Sequence, residues 1–392
     1  MLLRTRTPLA WKNLTHDARR LALATGGIAF AVLLMCMQLS FQDALFDSTL
    51  ALIRMLNADL VITSRAKYTV IVRETFPRRR LAQALQAPGV AWVQPVYVET
   101  QFSMLRNFAS QGEGEPIRVL GCPPDPERPA LRLSSNAAGL WLSLRRAGTA
   151  LYDVRSKPEA FGPLAAGRHV ELAGQTIRLV GSFDLGTDFA NDGNLIVCSE
   201  TYRRLFGRVP PGQDALAAVD IGLVKLEHGA DPRHVQAVLR AMLPPDVKVQ
   251  TIGEFERQEL RFWQRSTPIG YVFHAGVLLG FLVGVIICYQ ILYSDIADHM
   301  PEFATLKAMG YRAEYFIGVV LQEAGLLSLL GFWPGIAASW LLCRLVAWRT
   351  GLAVGLSDTL LVQVFLLTAA MCVLSGVLTM RKVLASDPAE LF

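Results

Sequence analysis

Four stretches of the chain are almost free of charged positions, and each is long enough to cross a bilayer as a helix. Leu21–Leu39 carries no charge, exceeds a signal-peptide core and is not followed by a small-residue cleavage site, so it reads as a retained anchor. Pro268–Tyr293 is interrupted only by His274, and Tyr315–Cys343 is long enough to tilt, with Pro334 as a kink. Leu360–Met380 is again uncharged.

Between the first two spans the pattern changes. Apolar, β-branched runs at Ala58–Thr63, Val90–Glu99, Ile117–Leu120, His169–Leu172, Thr176–Phe183, Leu195–Cys198 and Ala218–Leu226 predict strands. "ELAGQTIRL" sets Gly174 and Gln175 between two of them, as a tight hairpin. Helical spacing covers Pro77–Gln86 and Pro232–Met242, the second opened by Asp231 as a cap with proline in the first turn. The order β–α–β recurs at Ala58–Glu99 and Ala218–Gln250. The middle, with "GCPPDPERP" and "SKPEAFGPLAAG", reads as an inserted lobe. The segments flanking this region, Phe41–Leu56 and Gly253–Arg265, either prolong the spans as stalk helices or lie on the membrane as amphipathic linkers.

The predicted fold class is an α-helical membrane protein with four transmembrane helices and a large mixed α/β extracytoplasmic domain. Its division is 1–20 amphipathic segment, 21–39 first span, 40–56 stalk, 57–253 domain, 254–267 stalk, 268–293 second span and 294–314 charged loop. It continues with 315–343 third span, 344–359 short loop, 360–380 fourth span and 381–392 tail.

Composition sharpens this picture. Of 392 residues 52% are hydrophobic and 18% charged, where a soluble chain carries about a quarter charged. The short flanks set the orientation. Arg4, Arg6, Lys12, Arg19, Arg20, Lys307, Arg312, Arg381 and Lys382 lie on one side of the membrane, against Arg344 and Arg349 on the other. Both termini and the charged loop are therefore expected in the cytoplasm, with the large domain outside. A net charge of +5 without a basic stripe gives no footprint for nucleic acid.

Little in the chain points to catalysis. GxxxxGK[ST] and HExxH are absent, and the six histidines are scattered. "GTDFANDGN" gathers Asp188, Asp192 and Asn194 but has Ala190 and Ser199 where a calcium loop needs ligands, so a polar turn is expected there and no metal. Gly181-Ser182 lacks the GxSxG frame of a nucleophile elbow. Of the six cysteines, Cys36, Cys288, Cys343 and Cys372 fall in apolar segments; Cys122 and Cys198 are able to pair in an oxidising compartment.

The segment Ser294–Phe316 is charged yet helical in spacing. From Pro301, the residues Phe303, Leu306, Met309 and Gly310 recur at intervals of three and four, while Glu302, Thr305 and Lys307 line other faces and Gly310 supplies a stop. Such a helix either seats in a groove on a soluble partner or rests on the lipid surface. Glu323 lies about 12 Å beyond Tyr315 at ~1.5 Å per residue, inside the hydrocarbon, and suits a structural role or a proton path.

This segment, followed by "LQEAGLLSLLGFWPGIAAS", resembles the signature of FtsX-like permeases of the MacB type. Glu302, Ala304, Leu306, Lys307, Ala308, Met309, Gly310 and Glu323 stand at the family's motif positions, and "RKVLASDPAELF" is similar to its closing motif at Asp387–Leu391. The head, Leu9–Ser48, and "GTDFANDGNLIV" resemble the DevC-like subgroup, permeases of the heterocyst glycolipid exporter type.

The resemblance implies a MacB-like porter subdomain with an inserted lobe, in an inner-membrane permease that works as a homodimer. ATP and magnesium would bind separate ABC ATPase subunits, and this chain would bind no cofactor itself. It also implies mechanotransmission, a membrane-fusion adaptor, a TolC-like outer-membrane duct and contact with membrane lipid. On this reading Glu302, Phe303, Thr305, Leu306, Lys307, Met309 and Gly310 form the ATPase-coupling helix. A regulator of a cell-wall hydrolase, a lipoprotein-releasing permease and a membrane-anchored enzyme are the alternatives.

Overall fold

The computed structural model describes residues 17–108, 114–133, 137–188, 190–207, 214–266, 268–298, 309, 313–350 and 354–385. They fall into two compact units. A helical unit comprises Met1–Asp43, Pro268–Ala347 and Val354–Phe392; an α/β unit comprises Ala44–Thr267 and Trp348–Ala353.

The helical unit holds helices long and apolar enough to cross a membrane. These are α1 (Ala18–Met55), whose later residues belong to the α/β unit, together with α8 (Pro268–Asp298), α9 (Ala313–Thr350) and α10 (Asp358–Ala385). Lipid gives apolar helices no hydrophobic reason to associate, so close packing of small residues must do it. Gly276, Gly280 and Gly284 recur every fourth residue along one face of α8. Side chains at these positions would meet Gln38, Met35 and Ala31 of α1 in turn, with Met371 of α10 also at Gly284. On α9, Gly331 and Gly335 stand in the same way against Ile28 and Val32 of α1. The first helix is therefore the central post, and Ile28, Ala31, Val32 and Met35 are fully buried.

The α/β unit is built on one eleven-stranded sheet among the described residues. Its strands are β1 (Leu60–Ser64), β3 (Val90–Glu99), β4 (Met104–Arg106), β5 (Glu115–Pro116), β6 (Arg118–Cys122), β7 (Thr149–Asp153), β8 (His169–Leu172), β9 (Gln175–Phe183), β10 (Asn194–Cys198), β12 (Ile221–Leu226) and β13 (Val247–Thr251), in the order β13-β1-β12-β3-β6-β10-β7-β9-β8-β4-β5. A separate two-stranded ribbon pairs β2 (Phe76–Pro77) with β11 (Ala218–Val219). Two pairings are parallel, β6 with β10 and β7 with β9; the rest are antiparallel. The two ends of the region supply the four strands β13-β1-β12-β3, and the middle supplies the others. Tyr97–Glu99 of β3 pairs with Val119–Gly121 of β6, which joins the two parts into one sheet.

Both faces of this sheet are covered, so β1, β6 and β10 are buried at every position. Leu60, Ile62, Val119, Leu195 and Val197 point to one core, shared with α2 (Arg79–Ala84), α5 (Ser199–Phe206) and α6 (Pro232–Met242) through Leu81, Tyr202 and Leu239. Val61, Leu120 and Ile196 point to the other. There they meet Leu50 and Ile53 of α1, Trp141 of α3 (Ala137–Ser143) and Phe255 of α7 (Ile252–Arg265). A short helix, α4 (Pro158–Phe161), completes the unit.

The hairpin between β8 and β9 turns at Ala173 and Gly174, with φ of 50° and 78°, one residue earlier than the pattern predicts; Gln175 already belongs to β9. Two consecutive positive φ values are what a two-residue hairpin turn needs to match strand twist.

Candidate functional site

The predicted coupling residues Glu302, Phe303, Thr305, Leu306, Lys307 and Gly310 lie outside the described residues. Met309 is described, in a turn, and is 63% exposed. The helices on either side are placed: α8 ends at Asp298 and α9 begins at Ala313. Glu323 is buried in the helical unit, on a stretch of α9 where Val320 and Ala324 stand against Gly376 of α10. His274 is occupied locally, its Nδ1 lying 2.6 Å from the Gly270 carbonyl oxygen.

The α/β unit contains a second arrangement. Spacing on α7 puts Phe255, Glu259 and Trp263 on one buried stripe. Thr251 and Glu254 close a capping box at the start of this helix, each side chain bonding the other's backbone N–H. Glu259 is 1% exposed and accepts three hydrogen bonds: from the Thr69 hydroxyl at 2.7 Å, the Val70 N–H at 2.9 Å and the Trp263 indole N–H at 3.1 Å. The carboxylate thus bolts α7 to the loop that follows β1.

That loop carries its own buried charges. Lys67 is fully buried and donates to the Val72 carbonyl at 2.9 Å, while its backbone oxygen accepts from Lys248 and Gln258. Arg73 reaches Glu99 at 2.8 Å and Asp220 at 3.9 Å. Glu99 also accepts from the N–H groups of Thr100, Gln101 and Phe102, which fixes the turn leaving β3.

Burial pushes the Glu259 and Asp220 carboxyls up, against hydrogen bonds that favour their ionised forms. It pushes the Lys67 ammonium down, although Asp220 and Glu259 oppose this. A carboxyl raised in the fold contributes stability that is full below its unfolded value and is lost as pH rises through the folded one. For Glu259 that window opens at 4.5 and extends upward. Wild-type protein should therefore outmelt Glu259→Gln by more at pH 5 than at pH 8. Glu259→Ala orphans three donors and should cost about 3 kcal/mol, at the usual ~1 kcal/mol or more for each unmet partner. Thermal melts of the α/β unit check both; a gap between wild type and Glu259→Gln that widens with pH would contradict the assignment.

The C-terminal end of α1 is fastened separately. Asn57 N–H donates to the Ala130 carbonyl at 2.9 Å and its side chain to Pro129, while Arg132 N–H donates back to Met55. Arg54 lies 3.7 Å from Glu256 of α7. Helix α7 and the C-terminal part of α1 are thus both rooted in one sheet.

The Asp-rich turn is spent on internal contacts. Asp188 pairs with buried Arg118 and accepts from the N–H groups of Ala190 and Asn191, and Asp192 pairs with Lys157 at 2.5 Å. Asp153 braces the same turn, accepting from Arg155, Leu185, Gly186 and Asn194. Cys122 and Cys198 stand opposite each other on β6 and β10 as free thiols. Burial raises the Cys122 thiol, and the Cys198 sulfur caps α5 by accepting from Thr201 N–H.

Together these features define a four-span membrane protein with a large mixed α/β unit whose two root helices are locked into one sheet. Residues 275–388 match the family model described as FtsX-like permease C-terminal. Among solved structures the chain is similar to the periplasmic region of MacB from Actinobacillus actinomycetemcomitans, at 9% identity and a TM-score of 0.36, over 52% of this chain and 92% of that one. It is also similar to the extracellular domain of the noncanonic ABC-type transporter YknZ from Gram-positive bacteria, at 13% identity and a TM-score of 0.33, over 50% and 99% of the two chains. No curated protein matches.

Proposed function

We propose that this chain is the permease subunit of an ABC-type transporter, carrying ATP-driven motion from separate ATPase subunits to its α/β unit. The observation that carries the reading is α1. One unbroken helix of 38 residues is a membrane-spanning candidate and also a core element of the α/β unit. At ~1.5 Å per residue it measures about 57 Å, well beyond the ~30 Å hydrocarbon core. A rod of that kind passes displacement on instead of absorbing it. The FtsX-like match over residues 275–388 supports the same class, because it takes in most of α8 and all of α9 and α10.

On this reading the segment around Met309 meets the ATPase, and hydrolysis takes place in that partner with ATP and magnesium. The chain works as a homodimer in the inner membrane, with both termini cytoplasmic and the α/β unit outside. A membrane-fusion adaptor and an outer-membrane duct complete the path, and the cargo is a lipid, a glycolipid or another envelope substrate, a reading supported only by the resemblance to the DevC-like subgroup and by no particular residue.

Co-purification of the detergent-solubilised chain tests the proposal: an ABC ATPase should be recovered at stoichiometric level, and its absence under conditions that keep the chain folded would end the reading. Topology is checked separately. A reporter after Phe392 should be active only in the cytoplasm, and one near Pro126 only outside. External activity of the first would overturn the orientation.

A further inference from the structure

An open cleft of about 550 Å³ lies between α8 and α10, lined by Val285, Ile286 and Tyr289 on the first and by Leu378 and Arg381 on the second. The two helices run in the same direction here: Gly284 stands against Met371, and the Ser375 hydroxyl donates to the Val285 carbonyl at 2.9 Å. Spacings of one, three and four therefore bring both rows of side chains onto one groove. Its floor is apolar, with Val285 buried and Ile286 and Leu378 open at 56% and 41%. Its mouth is polar. Arg381 directly follows the uncharged stretch Leu360–Met380, and a stem of its length can lie along hydrocarbon while the guanidinium reaches the headgroup level. Tyr289 suits the same boundary, where tyrosines concentrate.

We infer that this cleft binds one anionic glycerophospholipid, its acyl chain against Val285, Ile286 and Leu378 and its phosphate on Arg381. The charge selects the ligand. A planar guanidinium offers forked donors that match phosphate oxygens, and basic pockets between membrane helices take anionic headgroups for that reason. No acid among the described residues is paired with Arg381. A second copy of the chain fits poorly, because two-fold packing through this cleft sets each Arg381 near its own counterpart. The inference needs only that α8 and α10 span a membrane, and it stands apart from the ATPase proposal.

The test uses the full chain, delipidated in detergent and titrated by native mass spectrometry with phosphatidylglycerol or with phosphatidylcholine of the same acyl chains. Wild type should retain phosphatidylglycerol preferentially, and inorganic phosphate should not displace it. Arg381→Gln should weaken retention about fivefold, the worth of one interfacial cation. Ile286→Trp, which fills the groove, should weaken it at least as much, and Leu366→Trp, outside the groove, should leave it unchanged. Melting temperatures of the three variants show whether each remains folded. Equal retention of the two lipids, or of phosphatidylglycerol by wild type and both groove variants, would overturn the site. Cross-linking of copies through Ile286→Cys in native membranes would do so as well, by giving the groove to a second chain.

Discussion

A soluble fragment of residues 44–266 is expected to unfold in one cooperative transition, whereas a fragment of residues 57–253 should yield no folded product. The difference lies in what the shorter piece loses. Leu50, Leu52, Ile53 and Leu56 of α1 and Phe255 of α7 are buried in the core that also contains Val61, Val96, Leu120 and Trp141. Each such side chain contributes ~1.5–3 kcal/mol by burial. Five of them account for about the whole net stability of an ordinary domain, roughly 5–15 kcal/mol. The short fragment also lacks Glu259, so Thr69 and Val70 lose their acceptor and the loop after β1 loses its bolt. Urea melts followed by circular dichroism decide the matter. A 57–253 fragment with the same midpoint as the longer one would show that the root helices are attachments and not core.

The reason those helices look like attachments in sequence is physical. Phe41–Leu56 continues an apolar span, and hydropathy cannot say whether its leucines face lipid or a sheet. The acid on α7 was the readable clue. Phe255, Glu259 and Trp263 stand at i, i+4 and i+8, and a glutamate on an otherwise apolar stripe demands partners. Those partners, Thr69 and Val70, come from a loop about 190 residues away, which no local pattern can locate.

Other elements divide along the same line. The ten residues of Val90–Glu99 and the eleven of Pro232–Met242 are legible because one is a long β-branched run and the other has an Asp231 cap and a first-turn proline. Thr149–Asp153 goes unseen because it is short and buried on both sides, without alternation. Ser199–Phe206 is missed because its cap is a cysteine sulfur instead of a hydroxyl or carboxylate. The joining of β3 to β6 depends on register across the sheet, which chain order does not encode. In the helical unit, the glycines at 276, 280 and 284 are a readable packing motif that a count of apolar residues passes over.

If the segment around Met309 meets the ATPase as proposed, Met309→Asp should leave protein level and membrane insertion normal while sharply reducing ATPase co-purification and abolishing export. Met309 lies between α8 and α9 with its side chain 63% exposed, so the substitution disturbs no packed core. In the proposed ATPase contact, apolar side chains at the centre would supply most of the energy, with the charges of Glu302 and Lys307 fixing orientation. A carboxylate placed in such a dry contact costs about 2 kcal/mol or more, equivalent to roughly a thirtyfold loss of affinity. Met309→Leu keeps the apolar contact and should retain most of the ATPase, which separates loss of contact from loss of fold. The measurement is the ATPase-to-permease ratio after affinity purification, set beside transport in cells. An unchanged ratio with unimpaired export in Met309→Asp would remove the segment from the ATPase interface and leave the lipid-surface alternative.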